Sequence, residues 1–368
     1  MPMPKANPLV ASLPSATPFV GPERLERQNG RPFKARLGAN ECNYGASPQA
    51  IAAMDRVARE EVWKYCDPEV WDLREALAAH LRVDMDEIVV GSGIDNLLGV
   101  TVRIFSDTGD AIVTSLGAYP TFNYHVAGYG RRLVTVPYRD DKEDLDALAG
   151  AARREKAKIV YLSNPDNPMG TWWSAGAIEA FIDALPEETL LILDEAYGEL
   201  APDTAIPRLD TSRANVVRMR TFSKAYGLAG LRVGYLIGPA DLCLNYHKVR
   251  DHFGVNVMAQ HGALAALSDQ TWLAQVTTQF EAARKHIAAI GVANGLKPIV
   301  SATNFVTFDC GRDGEYAMRI LQELNARDVF IRKPMAPGID RCIRVSCGLP
   351  HELDYFGNAL PEALKAAR

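Results

Sequence analysis

The 368-residue sequence predicts an α/β fold, with a large domain on a seven-stranded, mostly parallel sheet covered by helices and a smaller α+β domain beside it. Three observations predict it. Short apolar runs alternate with helical stretches through the middle of the chain. Those runs are continuously apolar rather than alternating, as strands buried on both faces require. After about residue 240 the pattern changes to longer helices followed by a few strands.

The strand-like runs are Glu87–Gly91, Ala111–Ser115, Arg132–Val136, Lys158–Ser163, Thr189–Asp194, Val216–Arg220 and Val233–Ile237. Between them, Gly93–Phe105, Asp144–Arg154 and Ala175–Leu185 carry an apolar stripe at helical spacing. Beyond them, Leu242–Asp251, Gln260–Leu267 and Thr271–Ile290 read as helices. Strand-like Asn304–Phe308, helical Tyr316–Ala326, strand-like Val329–Arg332 and Cys342–Val345, and a closing helix His351–Ala367 complete the chain. The expected division is therefore 45–240 for the large domain, and 1–44 with 241–368 for the small one.

Composition narrows the function. An apolar fraction of 48% and a charged fraction of 23% are ordinary for a globular protein. A net charge of −5 gives no reason to expect nucleic acid or an acidic membrane as partner. The six cysteines show no CxxC spacing, so neither a zinc site nor a disulfide framework is expected, and free thiols fit a reducing compartment. Seven histidines without HxH or HExxH spacing predict no metal site. His125 and His252 read as structural or surface residues, with a place at a substrate pocket as the alternative. Met1–Val20 lacks the build of a signal peptide, and no apolar run is long enough to span a bilayer. The expected location is cytoplasmic.

Four segments fall at strand ends, where an open α/β sheet places its ligands. Val89-Val90-Gly91-Ser92-Gly93-Ile94-Asp95-Asn96 runs from a strand through a glycine turn into a helix, whose N-terminus suits a phosphate. A dinucleotide reading of this loop fails twice: Asn96 stands where a third glycine is needed, and Asp110 precedes the next strand instead of ending it. Asn164-Pro165-Asp166-Asn167-Pro168-Met169-Gly170 is turn chemistry that can present an asparagine amide. Asp194, closing the apolar strand of Leu191-Ile192-Leu193-Asp194-Glu195-Ala196-Tyr197, needs a charged or hydrogen-bonding partner. A protonated pyridine nitrogen would supply one, with Tyr197 placed to reach the same ring. Finally, Arg220-Thr221-Phe222-Ser223-Lys224-Ala225-Tyr226-Gly227-Leu228-Ala229-Gly230-Leu231-Arg232 sets one lysine among two hydroxyls and an arginine. Such a lysine can form a Schiff base with an aldehyde cofactor whose phosphate the hydroxyls and guanidinium hold.

With these segments in this order, the chain resembles the fold-type I pyridoxal-phosphate aminotransferases, in particular the histidinol-phosphate aminotransferase branch. The likeness extends to Leu37-Gly38-Ala39-Asn40-Glu41-Cys42-Asn43-Tyr44-Gly45, Ala302-Thr303-Asn304-Phe305 and Ile343-Arg344-Val345-Ser346-Cys347-Gly348. The resemblance implies the following roles. Lys224 joins pyridoxal 5′-phosphate and shuttles the proton. Asp194 pairs with the pyridinium, Tyr197 and Asn167 bond the ring oxygen, and Phe122 stacks on the ring face. Gly93, Ile94 and Asp95, with Thr221, Ser223 and Arg232, hold the phosphate. Tyr65 reaches a neighbouring subunit's cofactor, so a homodimer with shared active sites is implied. Arg344 grips the acidic group of the substrate, with Asn40 and Tyr44 as further substrate contacts. Apart from the resemblance, Arg332 in Val329-Phe330-Ile331-Arg332-Lys333 reads either as a second anion-binding residue that contacts substrate or as a strand-end arginine facing solvent.

The small-molecule partners so implied are an amine donor and a 2-oxo acid acceptor such as 2-oxoglutarate. The sequence departs from the branch's usual pattern at Met169, at Ile94-Asp95-Asn96, at Cys42-Asn43 and at His252. None of these touches the core set, and together they leave the donor open. A decarboxylase of the threonine-phosphate type, a nicotinamide-dependent oxidoreductase and a non-catalytic cofactor-binding protein are the alternatives.

Overall fold

The computed structural model describes residues 3–14 and 20–368; Met1–Pro2 and Ser15–Phe19, part of the proline-rich Met1–Val20 stretch, lie outside the described residues. In chain order the strands are β1 (Ala35–Arg36), β2 (Ile88–Gly91), β3 (Ala111–Ser115), β4 (Arg132–Val136), β5 (Ile159–Ser163) and β6 (Leu190–Asp194). They continue as β7 (Val216–Thr221), β8 (Gly234–Ile237), β9 (Lys297–Pro298), β10 (Phe305–Asp309), β11 (Val329–Phe330) and β12 (Cys342–Ser346). The large sheet has seven strands in the order β2-β8-β7-β6-β5-β3-β4. Only β8 runs against its neighbours. All seven expected runs are strands of this sheet, each within a residue of its expected limits.

Residues alternate between two cores along the central strands. Ile112, Ile159, Tyr161, Ile192 and Val217 face one core. Val113, Val160, Leu162, Leu191, Leu193 and Val216 face the other. Both faces are covered, which is why the runs are apolar throughout. Polar residues gather at the carboxyl ends, where Ser163 pairs with Asp194 and Asp194 with Met219 across β5, β6 and β7. Helices are capped by side chains: Asp144 accepts from Ala147 N at 3.1 Å and Asn256 from Ala259 N at 2.9 Å.

The smaller unit is the antiparallel sheet β12-β10-β9 packed by the helices Gln270–Ala293, Gly314–Ala326 and Pro350–Ala366. Phe280, Phe305, Phe308 and Phe356 fill its core. The N-terminal segment joins it: β1 pairs in parallel with β11, and Ala35 and Leu37 lie in the same core. The expected boundary at residue 240 does not match this packing. Helix Ala240–His247 puts Cys243 and Tyr246 into the large-sheet core, and helix Val257–Ser268 buries Ala259, Ala263 and Ala266 against Val90 and Tyr235. We place the boundary near Asp269, which caps the long helix. The expected helix Leu242–Asp251 stops at His247 and gives way to turns through Gly254. Among the described residues no helix is long and apolar enough to cross a membrane, and no group of His, Cys, Asp and Glu could hold a metal ion.

Candidate active site

The carboxyl ends of β5, β6 and β7 converge on a cavity of about 160 Å³. Lys224 follows β7 and turns its amine inward, donating from Nζ to the carbonyl of Asn40 at 3.1 Å. Its Nζ lies 5.8 Å from the centre of the Tyr197 ring. Burial, reinforced by the Arg344 and Arg232 guanidiniums, brings the amine down to about 8, while Glu41 and Asp194 pull the other way. An amine near neutrality is available as nucleophile and base.

Asp194 ends β6 at the cavity. Its Oδ2 accepts from Tyr161 Oη at 2.7 Å and its Oδ1 from Ala196 N at 2.9 Å. Burial lifts this carboxyl to about 6 against those two hydrogen bonds. Tyr197 accepts from Asn40 Nδ2 at 3.0 Å, and burial raises its phenol. Asn40 is held in turn by Ser346, whose hydroxyl donates to Asn40 Oδ1 at 2.7 Å.

The opposite end is an anion cradle. Gly93 has φ +84° and opens the helix Ile94–Phe105, whose first N–H groups are free to receive an anion. Arg232 lies over it so closely that a Cβ on Gly93 would fall 2.6 Å from Nη2. The same guanidinium donates to Ser223 Oγ at 3.4 Å and to Ala229 O at 3.0 Å, and Ser223 N donates to Thr221 Oγ1 at 3.0 Å. Asp95 is engaged by His125 at 3.2 Å, which gives that histidine a structural place.

On the small-domain side, Arg344 donates to Asn167 Oδ1 and, at 3.2 Å, to Gly38 O. Burial brings its guanidinium down to about 10. Its Nε has no hydrogen-bond partner, and it makes no salt bridge among the described residues. A buried cation without a carboxylate suits an acidic ligand. Lys224, Asp194, Tyr197, Ile94, Asp95, Asn167, Thr221, Ser223 and Arg232 thus line one cavity, and Asn40 and Arg344 border it.

Four expected residues lie outside the cavity. Phe122 does not face the cavity: it is fully buried and stacks on Tyr161 at 4.5 Å, because the helix Pro120–Gly128 turns it into the core. Tyr119 lines the cavity instead. Tyr44 packs on Phe280 at 5.1 Å and sends its hydroxyl to the carbonyls of Gln279 and Gly348. Arg332 lies beside Arg344 across an antiparallel bridge, donates to Val20 O and does not line the cavity. Tyr65 is 84% exposed and rests against Phe253, outside this chain's own cavity. His252 is exposed.

Sequence reasoning missed Tyr119 and Tyr161. The only available signals were the neighbouring Pro120 and a hydroxyl set inside an apolar strand. It also missed the ion network behind Asp194, where Glu195 meets Arg218 at 2.5 Å and Arg220 at 3.0 Å. Burial works to raise the Glu195 carboxyl, but the two guanidiniums outweigh it and hold the group below its usual range. A larger depression of about 360 Å³ beside Arg208 and Arg213 contains none of the expected site residues.

Residues 34–360 match the family model described as aminotransferase class I and II. The chain belongs to that family. Histidinol-phosphate aminotransferase of Anaeromyxobacter sp. is 36% identical to this aminotransferase over 99% of the chain and 100% of that protein. That of Moorella thermoacetica is 31% identical over 98% and 94%. The crystal structure of histidinol-phosphate aminotransferase from Sinorhizobium meliloti in complex with pyridoxal-5′-phosphate superposes with TM-score 0.96. It is 48% identical and covers 100% of this chain and 99% of that one. Aspartate aminotransferase from Thermus thermophilus with maleate shares the fold alone, with TM-score 0.81 and 20% identity over 98% and 100% of the two chains.

Proposed function

We propose that this aminotransferase uses pyridoxal 5′-phosphate to move an amino group from histidinol phosphate, or an amine of similar shape, to a 2-oxo acid such as 2-oxoglutarate. One observation carries the reading: a single cavity holds a buried amine brought down to about 8, a buried carboxyl and an anion cradle at its far end. The relatives named above support the donor.

When bound, the cofactor supplies an electron-withdrawing ring that accepts the pair left by a departing Cα proton. The rest falls to the chain. Lys224 would hold the cofactor through its buried amine and, when free, would serve as the base that moves the Cα proton. Asp194 would hold the ring nitrogen and keep it protonated. Tyr197 and Asn167 would hold the ring oxygen. The helix beginning at Ile94, with Thr221, Ser223 and Arg232, would receive the phosphate, and Tyr119 would take the stacking role expected of Phe122. Arg344 meets the acidic group of the substrate. The exposure of Tyr65 supports its reaching a partner's cofactor in a homodimer, and six unpaired thiols fit a cytoplasmic setting.

The test is product analysis. The loaded enzyme with histidinol phosphate and 2-oxoglutarate is expected to yield glutamate and the matching oxo phosphate. No glutamate with histidinol phosphate, but CO₂ from threonine phosphate, would replace this reading with the decarboxylase.

A further inference from the structure

We propose that Tyr161 is a positioning residue that fixes the Asp194 carboxylate for the cofactor's ring nitrogen. The proposal deepens the reading above and rests on it. Tyr161 lies on β5 opposite Ile192 of β6, two residues before the Ser163–Asp194 pair at the strand ends. Its hydroxyl reaches Asp194 Oδ2 at 2.7 Å. Ala196 N holds Oδ1 at 2.9 Å. With one donor on each oxygen, the carboxylate plane cannot turn about Cβ–Cγ without losing a charge-assisted hydrogen bond. The remaining lone pairs then stay directed at the cavity that both Tyr161 and Asp194 line.

The donor is itself fixed. Tyr161 is fully buried, and its ring stacks on Phe122 at 4.5 Å with planes 19° apart. Phe122 is fully buried too, so the stack cannot slide without opening the core. Burial and the adjacent Asp194 push the Tyr161 phenol well up, so it stays protonated and toward Asp194 can only donate. Phe122 therefore serves the site at one remove: it backs the tyrosine that orients the carboxylate.

Tyr161→Phe tests this, because it keeps the ring and its stack and deletes one hydroxyl. The apoprotein is titrated with pyridoxal 5′-phosphate, and visible absorbance reports binding. Loss of one hydrogen bond to a charged group is expected to weaken binding about tenfold. In an Asp194→Asn background the same change is expected to add almost nothing, since its effect runs through that carboxylate. A role as core filler alone would instead give losses that multiply. Phe122→Leu, which keeps the hydroxyl and removes its backing ring, is expected to give an intermediate loss.

Binding within twofold of wild type for Tyr161→Phe, or multiplying losses in the double variant, overturns the proposal and leaves the assignment of Asp194 standing. Wild-type affinity in Asp194→Asn overturns both.

Discussion

Replacing Gly93 with alanine tests the anion cradle at its tightest point. Gly93 has φ +84° and ψ 165°, a region essentially confined to glycine that costs a residue with a Cβ about 1–3 kcal/mol. The added methyl would also sit 2.6 Å from Arg232 Nη2, so the guanidinium must retreat by about 0.8 Å to reach ordinary contact. That end of the arginine is flexible, so the retreat itself costs little stability. It does move the guanidinium off the point where a phosphate is expected, at a loss of about 1.5–3 kcal/mol for a hydrogen bond to a charged group. Gly93→Ala is therefore expected to unfold about 1–3 kcal/mol more easily in urea, and to bind pyridoxal 5′-phosphate about tenfold to a hundredfold more weakly. Equilibrium titration of the apoprotein measures the second effect, and inorganic phosphate is expected to compete with the cofactor in wild type more strongly than in the variant. Unchanged cofactor affinity alongside the lost stability would refute the cradle.

Lys224→Ala is expected to fold and to lose turnover by at least about a thousandfold, measured as glutamate formed. Its fold survives because Asn40 O still accepts from Asn304 Nδ2 at 2.8 Å. The stability of the apoprotein is expected to depend on pH through four buried acids. Burial raises Asp166 and Glu199 to about 7 and Asp194 to about 6, and pushes Glu143 well above its ordinary range. The folded chain thus holds more protons than the unfolded one between about pH 4 and 7, and stability falls as pH rises through that window, by up to about 1.4 kcal/mol per unit for each group. Glu143→Gln keeps an acceptor for Ser163 N and removes one charge, so urea unfolding is expected to show a gain at pH 8 and none at pH 5. Arg341 bridges Asp141 at 2.6 Å and Asp309 at 2.9 Å, tying the two units together. Arg341→Ala is expected to cost about 1 kcal/mol in denaturant and to raise KM for the donor more than it lowers kcat.

The large sheet was legible because burial on both faces writes an uninterrupted apolar run into each strand, as in Leu190–Asp194. The lysine loop, Asp194 and the glycine turn were legible for a related reason: each places chemistry at a strand end, and order along the chain then fixes order in space. What stayed hidden depends on packing between distant segments. Nothing local shows that helix Val257–Ser268 buries its small residues against the large sheet rather than joining the small domain. Neighbouring aromatics were equally indistinct. Phe122 and Tyr119 are three positions apart, and only the start of a helix at Pro120 decides which faces the cavity. Tyr161 reads as one more apolar strand residue until its register against β6 brings the hydroxyl to Asp194.

The most direct test of the central claim is to load the protein with pyridoxal 5′-phosphate, reduce it with borohydride and locate the pyridoxyl group by peptide mass spectrometry. The account predicts one modified peptide, carrying the group on Lys224, and loss of that label when histidinol phosphate is added before reduction without a 2-oxo acid. A label spread over surface lysines, or none at all, would contradict it.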